Sequence, residues 1–374
     1  MKTHTSPART LRSTGASAVS DQFTIQSHRG PYTVDFDDAL LVDPARLLEG
    51  QPHFLIDANV VRLYAARLGD IVGHCNAIII EATEENKSIE KAIPVLERLV
   101  QNKIRRDHTL VAIGGGIVQD LTCFAASTLL RGLPWRFVPT TLLAQADSCI
   151  GSKSSINLGA TKNILGTFNP PERIYIDAGF LDTLEEKDIH SGIGEIIKVH
   201  AIAGVAAFDR LAADFDRLFT ERAVLLAYIR AALVIKQAYI EKDEFDRGIR
   251  NIFNYGHSFG HAIESATHYA IPHGIAVTIG MDMANFIASM RGILPREHHR
   301  RMHPILRRNY QQFAATPIPV DALLAALTRD KKNTSTMLRL IFPVGDDASI
   351  KRVDVAPDKA FRAQCETFIS ELAS

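Results

Sequence analysis

Several things are scarce in this chain of 374 residues, and each absence narrows what it does. Net charge is missing, because 42 Lys+Arg stand against 42 Asp+Glu. A polyphosphate chain is held by a basic excess that releases counterions, so a general nucleic-acid binder is not expected. Cysteine is rare: Cys75, Cys123, Cys149 and Cys365 are scattered, with no C-x-x-C pair. That argues against a disulfide framework and for a reducing, cytoplasmic setting. No run of about 18 apolar residues occurs, so no membrane-spanning helix and no membrane partner are expected. Internal repeats and low-complexity tracts are absent. So is the G-x-G-x-x-G fingerprint, and an ordinary Rossmann dehydrogenase is not indicated.

What is present is an ordinary globular composition, 46% hydrophobic and 22% charged. The length suggests two domains, with enough core to fold without a disulfide or metal staple. Residues 1–22 are rich in Ser, Thr and Ala, and they carry Lys2, Arg9 and Arg12 with no acid before Asp21. They read as a flexible tail, with an organelle transit peptide as the alternative. From about Phe23 the chain alternates strands and helices. His53–Asp57, Asn76–Glu81 and Thr109–Ile113 read as strands, with helical spacing over Asn59–Leu68 and Ser88–Val100 between them. This βαβαβ rhythm argues a parallel sheet covered by helices. A further strand is read at Arg136–Val138. Beyond about Asp177 the strand signal fades, and helical spacing dominates over Gly192–Ala206, Ala223–Glu241, Asn254–His268 and Ala276–Met290. The expected organisation is a tail (1–22), an N-terminal α/β domain (23–178) and a mainly helical C-terminal domain (179–374). The run His298-His299-Arg300-Arg301, with His303 beyond, reads as a solvated helix face, and an anion patch is the alternative.

Gly114-Gly115-Gly116 closes the third strand where a helix begins. Glycine lets the backbone approach a pyrophosphate, and the helix start behind it offers free N–H groups. A plain tight turn is the other reading of a glycine triplet. Asp57 and Glu81 end strands on the same expected edge, with Glu84 and Lys87 just beyond. Acids there accept from ribose hydroxyls, or else serve as helix caps. In the second half, His257 and His261 share one helix face at i, i+4 spacing, and His273 follows where a new helix starts. Glu195 lies on an otherwise apolar helix. A carboxylate with two histidines suits an open Zn²⁺ site, although spacing alone does not bring Glu195 to the histidines. Lysines within apolar helices, Lys198 and Lys236, are costly unless they meet an anion or water. With Lys153, Lys162, Arg250, Lys331, Lys332, Asn163 and Asn254, they suggest a small anionic, polyhydroxylated substrate.

These blocks together resemble the 3-dehydroquinate synthases and the wider sugar phosphate cyclases. The likeness runs from about Phe54 to Val344. It rests on Gly114-Gly115-Gly116 with Asp120, Arg131-Gly132, Pro139-Thr140-Thr141-Leu142-Leu143-Ala144-Gln145, Asp147 with Lys153, Lys162-Asn163, Glu195 with Lys198, Asn254-Tyr255-Gly256-His257-Ser258-Phe259-Gly260-His261, His273-Gly274 and Asp330-Lys331-Lys332. The resemblance implies NAD and a divalent metal, Zn²⁺ or Co²⁺, in a two-domain enzyme. It assigns Glu195, His257 and His273 to the metal. It assigns Asp57, Glu84, Lys87, Gly115, Gly116, Asp120, Thr140, Thr141, Lys162, Phe180 and Thr183 to the cofactor. Lys153, Asn163, His261 and Lys332 fall at the substrate phosphate, Lys331 elsewhere in the substrate site, and Lys236 and Arg250 at the substrate carboxylate. Asp147, Lys198 and Asn254 fall around the reacting hydroxyls. Arg131 would reach the phosphate of a neighbouring subunit, which implies a homodimer. The implied reaction is transient oxidation by NAD, phosphate elimination, re-reduction and intramolecular aldol closure of 3-deoxy-arabino-heptulosonate 7-phosphate to 3-dehydroquinate.

The chain departs from the usual pattern at Gln119, Ser152, Ser154-Ser155, Asp246 and Ile275. These departures leave open a related cyclase acting on another sugar phosphate. A metal-dependent polyol dehydrogenase is a further alternative, and the cations argue against it because a neutral polyol needs none.

Overall fold

Runs that the pattern marks as strands are buried at every position in Pro52–Asp57 and Thr109–Gly114. That is what a parallel strand covered on both faces requires. The computed structural model describes residues 21–159, 161–329, 333–334 and 336–372. The expected tail, but for its last two residues, lies outside them, as do Lys331 and Lys332. The chain forms two units: Met1–Leu184 with Gln237–Phe245, and Glu185–Lys236 with Asp246–Ser374.

In the first unit, strands β1 (Asp21–Ile25), β2 (Tyr32–Phe36), β3 (Pro52–Asp57), β4 (Ala77–Ile80), β5 (Thr109–Gly114), β6 (Trp135–Pro139) and β9 (Arg173–Ile176) form one sheet. Their order is β1-β2-β9-β6-β5-β3-β4. Every pairing is parallel except that of β1 with β2. Helices α1 (Ala58–Tyr64), α2 (Gly69–Val72), α3 (Ile89–Gln101) and α4 (Gly116–Thr128) alternate with the strands. Phe54, Ile56, Val111, Ile113 and Val138 pack with Val60 and Tyr64 in one buried cluster. The helix expected over Asn59–Leu68 stops at Tyr64. The chain leaves β3 towards β4 on one side and returns to β5 on the other. The strand order therefore reverses between β3 and β5, the place where open α/β sheets bind ligands at their C-terminal ends. Asp57 and Gly114 are the residues at those ends. A separate hairpin, β7 (Lys153–Leu158) with β8 (Thr161–Phe168), completes this unit's strands.

The second unit holds α5 (Glu186–Ile202), α6 (Val205–Ala213), α7 (Arg217–Thr220), α8 (Arg222–Ile240), α9 (His257–Ala266), α10 (His273–Met290), α11 (Arg296–Tyr310), α12 (Val320–Thr328) and α13 (Lys359–Leu372). The C-terminal residues of α8, from Gln237, cluster with the first unit. Residues Gly274–Ala288 of α10 are all buried, so it is the central core helix, and α5, α9 and α11 pack on it. The helical signal expected from Asn254 begins only at His257. Ile249–Asn254 is a 3₁₀ turn, and Gly256 turns the chain at φ +76°. A hairpin of β10 (Leu338–Val344) and β11 (Ser349–Val355) corrects the expectation that strands end near Asp177. Among the described residues, α8 is long and apolar enough to cross a membrane by composition. Its buried residues Leu225, Ile229, Leu233, Lys236 and Ile240 nevertheless recur at helical spacing, the pattern of one packed face.

Candidate active site

The sheet unit builds its candidate site from the ends of β3, β5 and β6. Asp57 accepts from the Asn59 backbone N–H at 2.8 Å and so caps α1. Burial raises its carboxyl above the usual range. Gly115 precedes α4 with no side chain capping the helix start, which leaves N–H groups free to meet an anion. A Cβ on Gly115 would press on the Thr141 methyl at 3.1 Å, whereas one on Gly116 would meet nothing nearer than Ser148 Oγ at 4.0 Å. Thr140 N–H donates to the Gly114 carbonyl at 3.0 Å, tying β6 to the same loop. These features fit a pyrophosphate against the α4 terminus. Gln119, where the family pattern has glycine, exchanges two hydrogen bonds with Ser148 at 2.7 and 2.8 Å, which accommodates the departure.

Several predicted cofactor and substrate residues meet through the β7–β8 hairpin. Lys87 Nζ lies 2.7 Å from Asp120 Oδ2, and Asp120 also accepts from Ser155 N–H at 3.3 Å. Burial pushes the Asp120 carboxyl up, and the Lys87 ammonium opposes it. Asn157 Nδ2 donates to Glu84 Oε1 at 3.1 Å, and Lys162 Nζ lies 3.5 Å from the same oxygen. The Asn163 N–H donates to Asn157 Oδ1, and the Ser155 hydroxyl donates to Asn163 Oδ1. Lys153 is exposed at the start of β7. Asp147 lies in a π-helical turn, Ala144–Ser148, a distortion that often marks a functional position. Arg131 is exposed at φ +69° and borders a cavity of about 390 Å³ with Arg29, Asn169 and Glu172. Phe180 and Thr183 are engaged within the fold: the Phe180 ring packs on Tyr64, and Thr183 Oγ1 lies 2.8 Å from Tyr64 Oη.

In the helical unit the ligand set is assembled by close helix contacts. A Cβ on Gly194 would sit 2.2 Å from the Gly274 carbonyl, and one on Gly274 would sit 1.8 Å from the Ser191 carbonyl. Only bare backbone permits α5 and the start of α10 to approach so closely. That approach brings their next residues together: Glu195 Oε1 lies 3.5 Å from His273 Nε2. Gly256, Gly260 and Gly280 do the same for α9 on α10, and Glu195 Oε1 lies 3.6 Å from His257 Nε2. His257 Nδ1 lies 3.3 Å from the Tyr255 carbonyl, and His273 Nδ1 lies 3.2 Å from Glu264 Oε2. A carbonyl or carboxylate there accepts from Nδ1–H, so each ring turns its Nε2 toward Glu195, in place to ligate an ion. These separations are close to the edges of a tetrahedron around an ion bound at about 2.0–2.2 Å. The donor set fits a divalent metal. Burial works against a charged His273, but Glu195 and Glu264 raise it to about 10, so this pocket favours a cation. His261 joins the histidines, with ligand atoms of all three within 4.8 Å.

Glu195 is 1% exposed and Lys198 2%, and they form a buried ion pair, with Lys198 Nζ 5.8 Å from the centre of the Phe253 ring. Lys236 and Arg250 are also buried. Asn254 lines a cavity of about 160 Å³ with Ser258, Arg339 and Arg352. Glu264 was not among the residues predicted from sequence. Its only signal is its place seven residues after His257, two turns along one helix face.

The fold and this donor set define an enzyme class: a parallel-sheet unit suited to a dinucleotide and a helical unit suited to a metal. The chain matches the 3-dehydroquinate synthase N-terminal model over residues 77–191 and the C-terminal model over 192–333. It is 32% identical to the 3-dehydroquinate synthase of Alkaliphilus metalliredigens (strain QYMF), covering 91% of this chain and 97% of that protein. The chain belongs to the 3-dehydroquinate synthase family. A solved structure of 2-epi-5-epi-valiolone synthase from Streptomyces hygroscopicus subsp. jinggangensis 5008, with NAD⁺ and Zn²⁺ bound, superposes with TM-score 0.80 at 28% identity over 96% of this chain and 99% of that one. A 2-deoxy-scyllo-inosose synthase complexed with carbaglucose-6-phosphate, NAD⁺ and Co²⁺ shares the fold, with TM-score 0.78 at 22% identity over 94% and 100%.

Proposed function

We propose that this protein is a sugar phosphate cyclase that converts 3-deoxy-arabino-heptulosonate 7-phosphate to 3-dehydroquinate and phosphate. The observation that carries the reading is the convergence of His257 Nε2 and His273 Nε2 on the buried Glu195 carboxylate, beside the buried cation Lys198. Glu195, His257 and His273 would hold the divalent ion, and Asp57, Gly115, Gly116, Asp120, Thr140 and Thr141 would hold NAD. When bound, NAD supplies a transient hydride acceptor, and the ion polarises substrate oxygens.

The rest falls to side chains. Lys198 Nζ donates to Glu195 Oε2, which leaves Oε1 for the ion and keeps a proton donor beside it. Glu264 and the Tyr255 carbonyl hold the imidazole rings in orientation. Lys236 and Arg250, held out of water, bind the substrate carboxylate. Lys153, Asn163 and His261 bind its phosphate, the group that leaves. Asp147 and Asn254 orient the reacting hydroxyls. Positioning of this kind lowers the barrier by fixing geometry in advance. The reading includes a homodimer, with Arg131 serving the neighbouring subunit, and a reducing, cytoplasmic compartment, consistent with four unbonded cysteines.

The test is incubation of NAD⁺- and Zn²⁺-loaded protein with 3-deoxy-arabino-heptulosonate 7-phosphate. The expected result is stoichiometric phosphate release with no net NADH. Absence of phosphate release overturns the substrate assignment, and net NADH formed from a polyol overturns the reaction class. The likeness to 2-epi-5-epi-valiolone synthase favours a second reading, a cyclase acting on a carboxyl-free sugar phosphate. Retention of Arg250, Asn254 and His261 favours the carboxylated substrate. Phosphate release from both kinds of substrate, compared side by side, separates the two.

A further inference from the structure

The helical unit carries a second Asp–His–His set that the proposed reaction does not use. Asp282 lies in the middle of α10 at 0% exposure, between the fully buried Met281 and Met283. A carboxylate in such surroundings is unstable unless its oxygens are matched. Its Oδ2 is matched: it accepts from Tyr310 Oη–H at 2.6 Å and lies 2.8 Å from His303 Nδ1. Its Oδ1 faces His299 Nε2 at 3.3 Å. Both of these atoms are buried, and neither makes a hydrogen bond among the described residues.

Two buried polar atoms at this separation, without hydrogen-bond geometry, stand as two ligands of one ion do. With bonds of about 2.0–2.1 Å, neighbouring ligands around a tetrahedral ion lie about 3.3 Å apart. His299 and His303 are spaced i, i+4, so α11 presents both to the same place on α10. One ligand atom from each of Asp282, His299 and His303 lies within 4.8 Å of the others. The set opens on a cavity of about 410 Å³ whose wall includes Arg307, Glu371 and the Phe286 and Phe368 rings. A fourth coordination position therefore has room for water or a carboxylate.

We propose that Asp282, His299 and His303 bind a second divalent transition-metal ion, of the Zn²⁺ and Co²⁺ class, that clamps α11 to α10. The nitrogen and carboxylate donors suit these ions rather than Mg²⁺ or Ca²⁺. The site is distinct from the first. Asp282 lies nine residues along α10 from His273, about 13 Å at the helical rise.

The test does not depend on catalysis, so it stands or falls apart from the cyclase reading. The full chain is stripped with a chelator and titrated with Co²⁺ alone, and bound ion is counted after buffer exchange. The wild type is expected to retain two ions per chain. The His299→Gln/His303→Gln chain retains one, and so does the His257→Ala chain. Zn²⁺ is expected to raise the melting temperature of the His257→Ala chain but not when His299 and His303 are also replaced. A single ion per wild-type chain overturns the proposal and leaves Asp282 as a plain ion-pair centre. So does an ion in the His257→Ala chain that persists after His299 and His303 are replaced. The His257→Ala chain leaves α11 untouched, so it decides the matter even if the double variant misfolds.

Discussion

The sheet unit offers a ligand mainly backbone. Gly115 and Gly116 stand at an uncapped helix start, and the acids nearby are already engaged, Asp57 with the start of α1 and Asp120 with Lys87. The helical unit offers buried charge instead, with Glu195, Lys198, Lys236 and Arg250 all nearly inaccessible. Histidine shows the same contrast. In β3, burial together with His108 and His74 lowers His53 to about 4, whereas at the start of α10 two carboxylates raise His273 to about 10. A site made of backbone depends on what glycine leaves empty. A site made of buried charge depends on each charge keeping its partner and on helices staying close enough to supply it.

The largest effect that would break this comparison lies in the buried pair. Replacing Glu195 by Gln leaves Lys198 as a buried cation with a weakened partner. Loss of one member of such a pair costs about 3–5 kcal/mol. Urea unfolding of the metal-free Glu195→Gln chain is expected to show a loss of that order, and Lys198→Met added to it should restore most of the stability without restoring phosphate release. If Glu195→Gln alone unfolds like wild type, the helical unit does not rest on paired charge.

Next in size is glycine. Gly274→Ala places a methyl 1.8 Å from the Ser191 carbonyl, and two helix backbones do not yield easily. Overpacking of this kind costs about 3 kcal/mol at the upper end of its usual range. Metal retention should fall with it, since the same contact brings Glu195 to His273. Gly116→Ala meets nothing nearer than 4.0 Å, so the same chemical change in the sheet unit should leave unfolding nearly unchanged while weakening NAD⁺ binding, read by calorimetric titration. Equal unfolding losses in the two variants would erase the distinction.

How far these features were legible in the sequence follows the same division. The parallel sheet and its loaded end were readable because buried strands are short apolar runs, and Gly114-Gly115-Gly116 stops one of them abruptly. The helical unit was harder. Spacing put His257 and His261 on one face, but Glu195 lies more than sixty residues before them, and only the resemblance joined Glu195 to His257 and His273. The glycines that bring these helices together look ordinary, because close approach is a property of two helices rather than one. His299 and His303 sit in a basic run that reads as solvated, yet they turn toward Asp282. The β10–β11 hairpin was missed because Leu338–Val344 lacks clean alternation and contains Pro343.

A smaller effect separates the units by pH. The folded chain keeps His53 neutral down to about 4, while the unfolded chain begins to take up a proton near 6.5. Between those values the unfolded state binds more protons, so stability falls as pH drops through this window and is flat above it. From pH 7 to 5 the loss attributable to His53 is about 2 kcal/mol. Urea midpoints across that range should therefore slope for wild type and flatten for His53→Leu. An unchanged slope would mean that His53 is not the group that titrates.

The smallest effect tests whether a departure from the family pattern touches function at all. Gln119 is buried in the first turns of α4, and both ends of its amide are bound to Ser148. Replacing it with glycine removes those two bonds, each worth about 0.5 kcal/mol net because half-buried Ser148 can pair with water instead, and loosens only the first turn of the helix. The Gln119 side chain faces Ser148 rather than the N–H groups that precede it at Gly115 and Gly116. Gln119→Gly should therefore lower unfolding stability by about 1 kcal/mol and leave the NAD⁺ dissociation constant nearly unchanged. A large change in NAD⁺ affinity with unaltered stability would show the opposite: that the Gln119–Ser148 pair shapes the glycine loop, and that the sheet unit, like the helical one, relies on side chains to form its site.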